Sequence, residues 1–104
     1  MKQLGFGCMR FLRTDPQDRS SVDVELVKDL VDLFLARGFT YFDTAYRYCG
    51  GASEPALRAA LVERYPRHRY TIATKLSNEY LHSKEEQAAV FADQLERLGC
   101  GYFD

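Results

Sequence analysis

Residues 38–48 read GFTYFDTAYRY and set the α/β alternation from which the fold class is read. The run FTYFD (39–43) is short and aromatic, the composition of a buried strand. A helical pattern precedes it. Val27, Leu30, Val31 and Phe34 stand at i, i+3, i+4 and i+7, which gives one apolar face. Ser21 or Asp23 is placed to cap the start of that helix. Gly38 stands where a helix end requires left-handed dihedrals. A helix stopped by glycine and followed at once by a strand is half of an alternating α/β unit.

The same alternation continues in both directions. Upstream, KQLGFGCM (2–9) reads as a strand entering a glycine-containing loop, and RTDPQDRSS (13–21) is polar and proline-bearing, hence loop. Downstream, YCGGAS (48–53) is a turn. Ser53 is expected to cap a second helix, with Glu54 near the positive end of its dipole and Pro55 in the first turn. Leu57, Ala60 and Leu61 give that helix its inner face, and YPRHR (65–69) ends it. YTIATKL (70–76), rich in β-branched residues, is the third strand, and SNEYLHS (77–83) is loop. Ser83 and Glu86 form a capping-box pattern. Ala88, Phe91, Ala92, Leu95 and Leu98 make a third apolar stripe that Gly99 can close. GYFD (101–104) has the character of the first residues of a fourth strand.

The order is thus β-α-β-α-β-α-β with short connections, which calls for a parallel sheet. The βα unit recurs at about 30 residues, a spacing shared by a (β/α) barrel and a doubly wound sheet. Pattern alone leaves both open.

Composition narrows the function classes. The chain has 104 residues, 46% of them hydrophobic, and a formal net charge of -1. This is one packed domain, with no basic field directed at nucleic acid or a membrane surface. No apolar run approaches the ~20 residues of a membrane helix, and MKQLGFGCMRF (1–11) lacks a signal-peptide core. Cys8, Cys49 and Cys100 are odd in number and form no C-x-x-C pair. Neither a disulfide framework nor a zinc site is indicated, and a cytoplasmic protein with free thiols is the simplest expectation.

In both architectures ligands meet the C-terminal ends of the strands. Gly7, Cys8 and Met9 follow the first strand; Asp43, Thr44, Tyr46 and Tyr48 follow the second; Lys75 follows the third. An acid, phenols and an amine thus converge on one rim from separate strands. A tyrosine hydroxyl is a poor acid, with a reference pKa of about 10, and a nearby ammonium stabilises its phenolate. A carboxylate beside the lysine holds it charged and in place. Such a phenol can donate a proton to a carbonyl oxygen as hydride reaches the carbon, and the hydride must come from a cofactor. Residue types alone do not choose between Tyr46 and Tyr48. GFG (5–7) does not make the dinucleotide fingerprint, since no G-x-G-x-x-G opens a helix. His68 and His82 lie in polar loops without partners at ligand spacing and read as solvated. Cys8 and Cys49 read as small, semi-buried residues near the rim. Lys84, Glu85 and Glu96 read as a solvated helix face.

The segments GFTYFDTAYRYCGGASEPAL (38–57), IATKL (72–76) and QLERLGCGYFD (94–104) closely resemble the aldo-keto reductases. The likeness runs from LGFGCMRF (4–11) to the last residue. It implies a parallel (β/α)8 TIM barrel, of which residues 1–104 would be the N-terminal part of one domain: the first three βα units and the start of strand 4. It implies NADP(H)- or NAD(H)-dependent reduction of small carbonyl compounds. Family spacing assigns the catalytic aspartate to Asp43 and the lysine to Lys75. The tyrosine lies five residues beyond Asp43, which selects Tyr48 as proton donor. The fourth member of the family's tetrad, a histidine, falls beyond Asp104. Gly7, Cys8 and Met9, with Asp43, align with the nicotinamide end of the cofactor site, and no metal site is implied.

The resemblance carries further expectations. MKQLGFGCMRF is most similar to a bacterial branch whose full-length members also carry a C-terminal ferredoxin-like 4Fe-4S segment. Some aldo-keto barrels serve as cofactor-binding regulatory subunits of larger complexes, a rival reading of the same fold. A complete barrel takes ~250 residues or more. The 104-residue chain by itself is therefore expected to be inactive and prone to self-association, with strand edges and apolar faces uncovered.

Overall fold

The computed structural model describes residues 3–76 and 82–104. Three short strands, β1 (Gly5–Gly7), β2 (Tyr41–Asp43) and β3 (Thr71–Ala73), form one parallel sheet in the order β1-β2-β3. Helix α1 (Val24–Ala36) joins β1 to β2, and α2 (Ser53–Leu57) begins the connection from β2 to β3. The α2 helix runs on through a π-helical turn over Arg58–Val62, and a separate 3-10 turn over Arg67–Arg69 precedes β3. The last helix, α3 (Lys84–Leu98), follows β3. Successive helices pack on one another, α1 against the second helix and the second against α3. Parallel strands in sequential order, alternating with helices, build the opening wall of a (β/α)8 barrel.

Strand alternation sorts the residues. Phe6, Phe42 and Ile72 are register partners and face the helices. Phe42 and Ile72 are fully buried, and Phe6 and Phe42 both pack on Phe34 of α1. Their neighbours in sequence, Gly5, Tyr41 and Thr71, then Gly7, Asp43 and Ala73, point to the other side of the sheet. FTYFD is therefore buried on one face only, and Tyr41 is exposed.

Helix boundaries follow from side-chain chemistry. Asp23 caps α1 by accepting from the Leu26 N–H, and Gly38 takes φ 88° just past its end. Ser83 caps α3 by accepting from Glu86 N–H at 3.1 Å. The return bond of the expected capping box shifts by one residue, because Glu86 Oε2 accepts from the His82 N–H rather than from Ser83. Ser53 does not cap α2. It lies inside the first turn, fully buried, and its hydroxyl is engaged elsewhere.

Two other expectations change. The α3 stripe is only partly a core face: Leu98 is buried, but Phe91 is 47% exposed, and Gln94 is the other fully covered side chain. Gln94 lies covered where its amide donates to Thr74 Oγ1 and to Lys75 O at the end of β3. GYFD is not yet a strand, but Asp104 N–H donates to Ile72 O at 2.9 Å, a first rung beside β3. Most of the loop SNEYLHS lies outside the described residues.

Candidate active site

The C-terminal ends of the three strands are joined by backbone bonds that outlast the strands themselves. Cys8 N–H donates to Asp43 O at 3.0 Å and Thr44 N–H donates to Ala73 O at 2.9 Å. This brings Asp43, Thr44 and Lys75 onto one rim. Lys75 Nζ has three protons and meets three acceptors: an Asp43 carboxylate oxygen, Thr44 O at 3.1 Å and the Tyr48 hydroxyl at 2.9 Å. The ammonium also sits 4.7 Å from the centre of the Tyr48 ring. The other Asp43 oxygen accepts from the Tyr41 hydroxyl at 3.3 Å. Partial burial of Lys75 works against its charge. The hydrogen bonds to Asp43 and Tyr48 outweigh that and hold its pKa above the ordinary lysine value.

Tyr48 reaches the lysine because the chain bends sharply after it. Cys49 (φ 57°, ψ 43°) and Gly50 (φ 61°, ψ 26°) are both left-handed, and Gly51 follows with φ 92°. For Cys49 this conformation is costly, and local bonds hold it. Its thiol donates to Met9 O at 3.5 Å. Tyr46 points away from the lysine. Its hydroxyl donates to Asp93 at 2.8 Å and its ring lies under the Arg97 guanidinium at 4.4 Å. The structure thus brings Asp43, Tyr48 and Lys75 together and leaves Tyr46 as a packing residue against α3.

A buried polar chain beneath the rim was not read from the sequence. Ser53 Oγ donates to Cys8 O at 2.8 Å, so it must accept from Thr44 Oγ1, also at 2.8 Å. Both hydroxyls are fully buried. They lock the end of β1 to the end of β2 and to α2. Beside them the fully buried Glu54 accepts from Thr74 Oγ1 at 2.9 Å, and Gln94 Nε2 donates to Thr74 Oγ1 and to Lys75 O. Burial pushes the Glu54 carboxyl up, and the Thr74 bond only partly offsets it. Glu54 Oε1 and Gln94 Oε1 have no partner among the described residues. The available signal was a set of hydroxyl and amide residues flanking strand ends, but their pairing is long-range and leaves no periodic trace.

The loop after β1 divides its roles. Gly7 is exposed, and a Cβ there would meet nothing within 4 Å. Met9 is 55% exposed. Cys8 is fully buried, so only its backbone can meet a ligand, and burial with the nearby Asp43 charge pushes its thiol pKa up. His68 and His82 are exposed. Among the described residues no group of His, Cys, Asp and Glu could hold a metal ion, and no helix is long and apolar enough to cross a membrane.

Comparison with known proteins bears on this geometry. The chain resembles the crystal structure of a thermostable aldo-keto reductase, Tm1743, in complex with the inhibitor epalrestat, with a TM-score of 0.67 and 27% identity. The match covers 97% of this chain and 35% of that one, so the chain spans about a third of the length of that protein. No curated protein matches. The family model described as "Aldo/keto reductase family" matches residues 3–104. On that match, which takes in all three strands and the Asp43–Tyr48–Lys75 cluster, the chain belongs to the aldo/keto reductase family.

Proposed function

We propose that the protein to which these residues belong is a carbonyl reductase that uses NADPH or NADH to convert aldehydes or ketones to alcohols. Residues 1–104 would be the first part of its single barrel domain. The observation that carries the reading is the saturation of Lys75. All three of its protons are committed, to Asp43, Thr44 O and Tyr48. The lysine cannot turn toward a substrate. The Tyr48 oxygen accepts one of those protons, and among the described residues its own proton is not spent on another partner. That proton is the one free to reach a carbonyl oxygen.

The ends of the strands fit a flat cofactor ring. Gly7 leaves bare backbone and open space directly beside its register partner Asp43. Gly7, the backbone of Cys8, Met9 and Asp43 are the groups of this chain that would hold the nicotinamide end. When bound, the nicotinamide supplies the hydride. Tyr48 gives its proton to the carbonyl oxygen, which leaves the substrate as an alcohol and Tyr48 as a phenolate facing the Lys75 ammonium. Asp43 keeps that ammonium charged and aimed. Solvent would return the proton to Tyr48 before the next turnover.

The test is Tyr48→Phe in the full-length protein. It should lower kcat for aldehyde reduction by at least about 100-fold while nucleotide affinity stays within about twofold. Undiminished turnover contradicts the proposal.

A further inference from the structure

The cleft beside Tyr48 holds positive charge that proton transfer does not use. Arg10, Arg13 and Arg19, from the loop after β1, line it together with Arg47, Tyr48 and Cys49, and its volume is about 260 Å³. All four arginines are exposed, and no carboxylate lines the cleft. The clustering is local, since the chain as a whole has a net charge of -1. A neighbouring hollow shares Arg19, Arg47 and Gly50 and ends at Arg97. Arg97 is already paired with Asp93 at 3.1 Å, so that end is neutralised. Among the described residues neither Arg10 nor Arg19 has a carboxylate within ion-pair distance.

The arginine-bearing loop is held in shape. Thr14 N–H donates to Ser21 O at 2.7 Å, Asp23 N–H donates to Leu12 O at 2.8 Å, and the single Ser21 hydroxyl proton is shared between the carbonyls of Asp15 and Asp18. Arg13 leans on the loop itself, donating to Pro16 O at 3.3 Å. On the opposite wall Gly50, held at φ 61°, stands against Arg19: a Cβ there would be in ordinary contact, 3.5 Å from Arg19 Cβ. Asp18 offsets part of the charge of Arg13, but several like charges gathered at one cleft still repel one another and favour an anion between them. Guanidinium groups match the planar oxygens of carboxylate and phosphate.

We infer that the substrate is a short carbonyl compound carrying a carboxylate or phosphate, which Arg10, Arg13, Arg19 and Arg47 hold while its carbonyl meets Tyr48. The inference rests on the reductase reading above. The same guanidinium chemistry would serve the cofactor's pyrophosphate, and the test separates the two sources. In the full-length protein, kcat/KM is measured for succinate semialdehyde against butanal, and for glyceraldehyde 3-phosphate against glyceraldehyde. The anionic member of at least one pair should be preferred by about tenfold or more. In the Arg10→Ala, Arg19→Ala double variant that preference should shrink by about tenfold, through KM of the anionic aldehyde, with nucleotide affinity within about twofold. Equal kcat/KM within both pairs overturns the inference. So does a double variant that loses nucleotide affinity and all aldehydes in parallel, since the arginines would then serve the pyrophosphate. If no aldehyde is reduced, the reductase reading fails, and calorimetry with glutarate against glutaramide still decides the anion site. Glutarate binding that the double variant loses supports it, and equal behaviour of the two probes or the two proteins overturns it.

Discussion

At the scale of single residues the site is organised by Lys75. Its ion pair with Asp43 is about half exposed on the lysine side, so it adds only about 0–1 kcal/mol to stability. Its value is positional. Asp43→Asn should therefore lower kcat by about 10- to 100-fold while shifting Tm by no more than about 2 °C, read by steady-state kinetics and calorimetry. The same substitution has a pH signature. The folded pKa of Lys75 is raised above 10.5, so its charge persists through the ordinary lysine range and is lost only as pH rises through the higher folded value. Removing the Asp43 charge should move the alkaline fall of activity to lower pH. A profile that does not move would contradict the role given to Asp43. Asp43 and Lys75 were legible in the sequence because strand ends are readable and place their side chains on one rim. The choice of Tyr48 over Tyr46 was not readable from residue types. It depends on the left-handed turn at Cys49 and Gly50 and on Asp93, 47 residues from Tyr46, which draws the Tyr46 hydroxyl away.

At the scale of elements, the sheet and helices stood out by period and capping, but the joints between them did not. Ser53 precedes Glu54 and Pro55, which is the pattern of a helix cap, yet its hydroxyl serves Cys8 O, 45 residues away. Nothing local reports that a strand-end carbonyl lacks a donor. Ser53→Ala would leave both Cys8 O and Thr44 Oγ1 short of a buried partner. It should cost about 1–3 kcal/mol, measured by denaturant unfolding of the full-length protein, and a loss below about 0.5 kcal/mol would contradict the buried chain. Glu54 poses the opposite case. Its carboxyl pKa is raised by burial, so the folded state holds the proton more tightly than the unfolded chain. Its contribution is most favourable below the ordinary carboxyl value of 4.5 and declines as pH rises through the folded value. Glu54→Gln removes that decline. The Tm advantage of the variant should therefore grow as pH rises above 4.5, and a constant or shrinking difference would argue against a buried, destabilised charge.

At the scale of the whole molecule, the chain presents the wall of a barrel with unequal faces. The helix side is packed around Phe6, Phe34 and Phe42, while Leu30, Leu33 and Phe91 stay 41%, 52% and 47% exposed. Phe6, Phe34 and Phe39 join Leu30 and Leu33 around one apolar hollow beside α1. Such faces seek cover. The isolated 104-residue chain should self-associate, and light scattering should give a mass well above 12.0 kDa. A monodisperse species at that mass would contradict this. The repeating βα pattern was legible at this scale, but barrel and doubly wound sheet share it. The sequential strand order, with α1, the second helix and α3 packed in succession, and the family match removed that ambiguity. The α3 stripe is half covered here, since periodicity shows which residues could be buried and not which neighbours bury them.

In the proposed reaction Tyr48, held by Lys75, delivers the proton to a carbonyl. Tyr46 is two residues away, carries the same hydroxyl and is tied to Asp93 instead. The most direct measurement is aldehyde turnover by Tyr48→Phe and Tyr46→Phe variants of the full-length protein at saturating nucleotide. The account predicts that kcat falls by at least about 100-fold in Tyr48→Phe and by no more than about threefold in Tyr46→Phe. Equal losses in the two variants, or the larger loss in Tyr46→Phe, would contradict it.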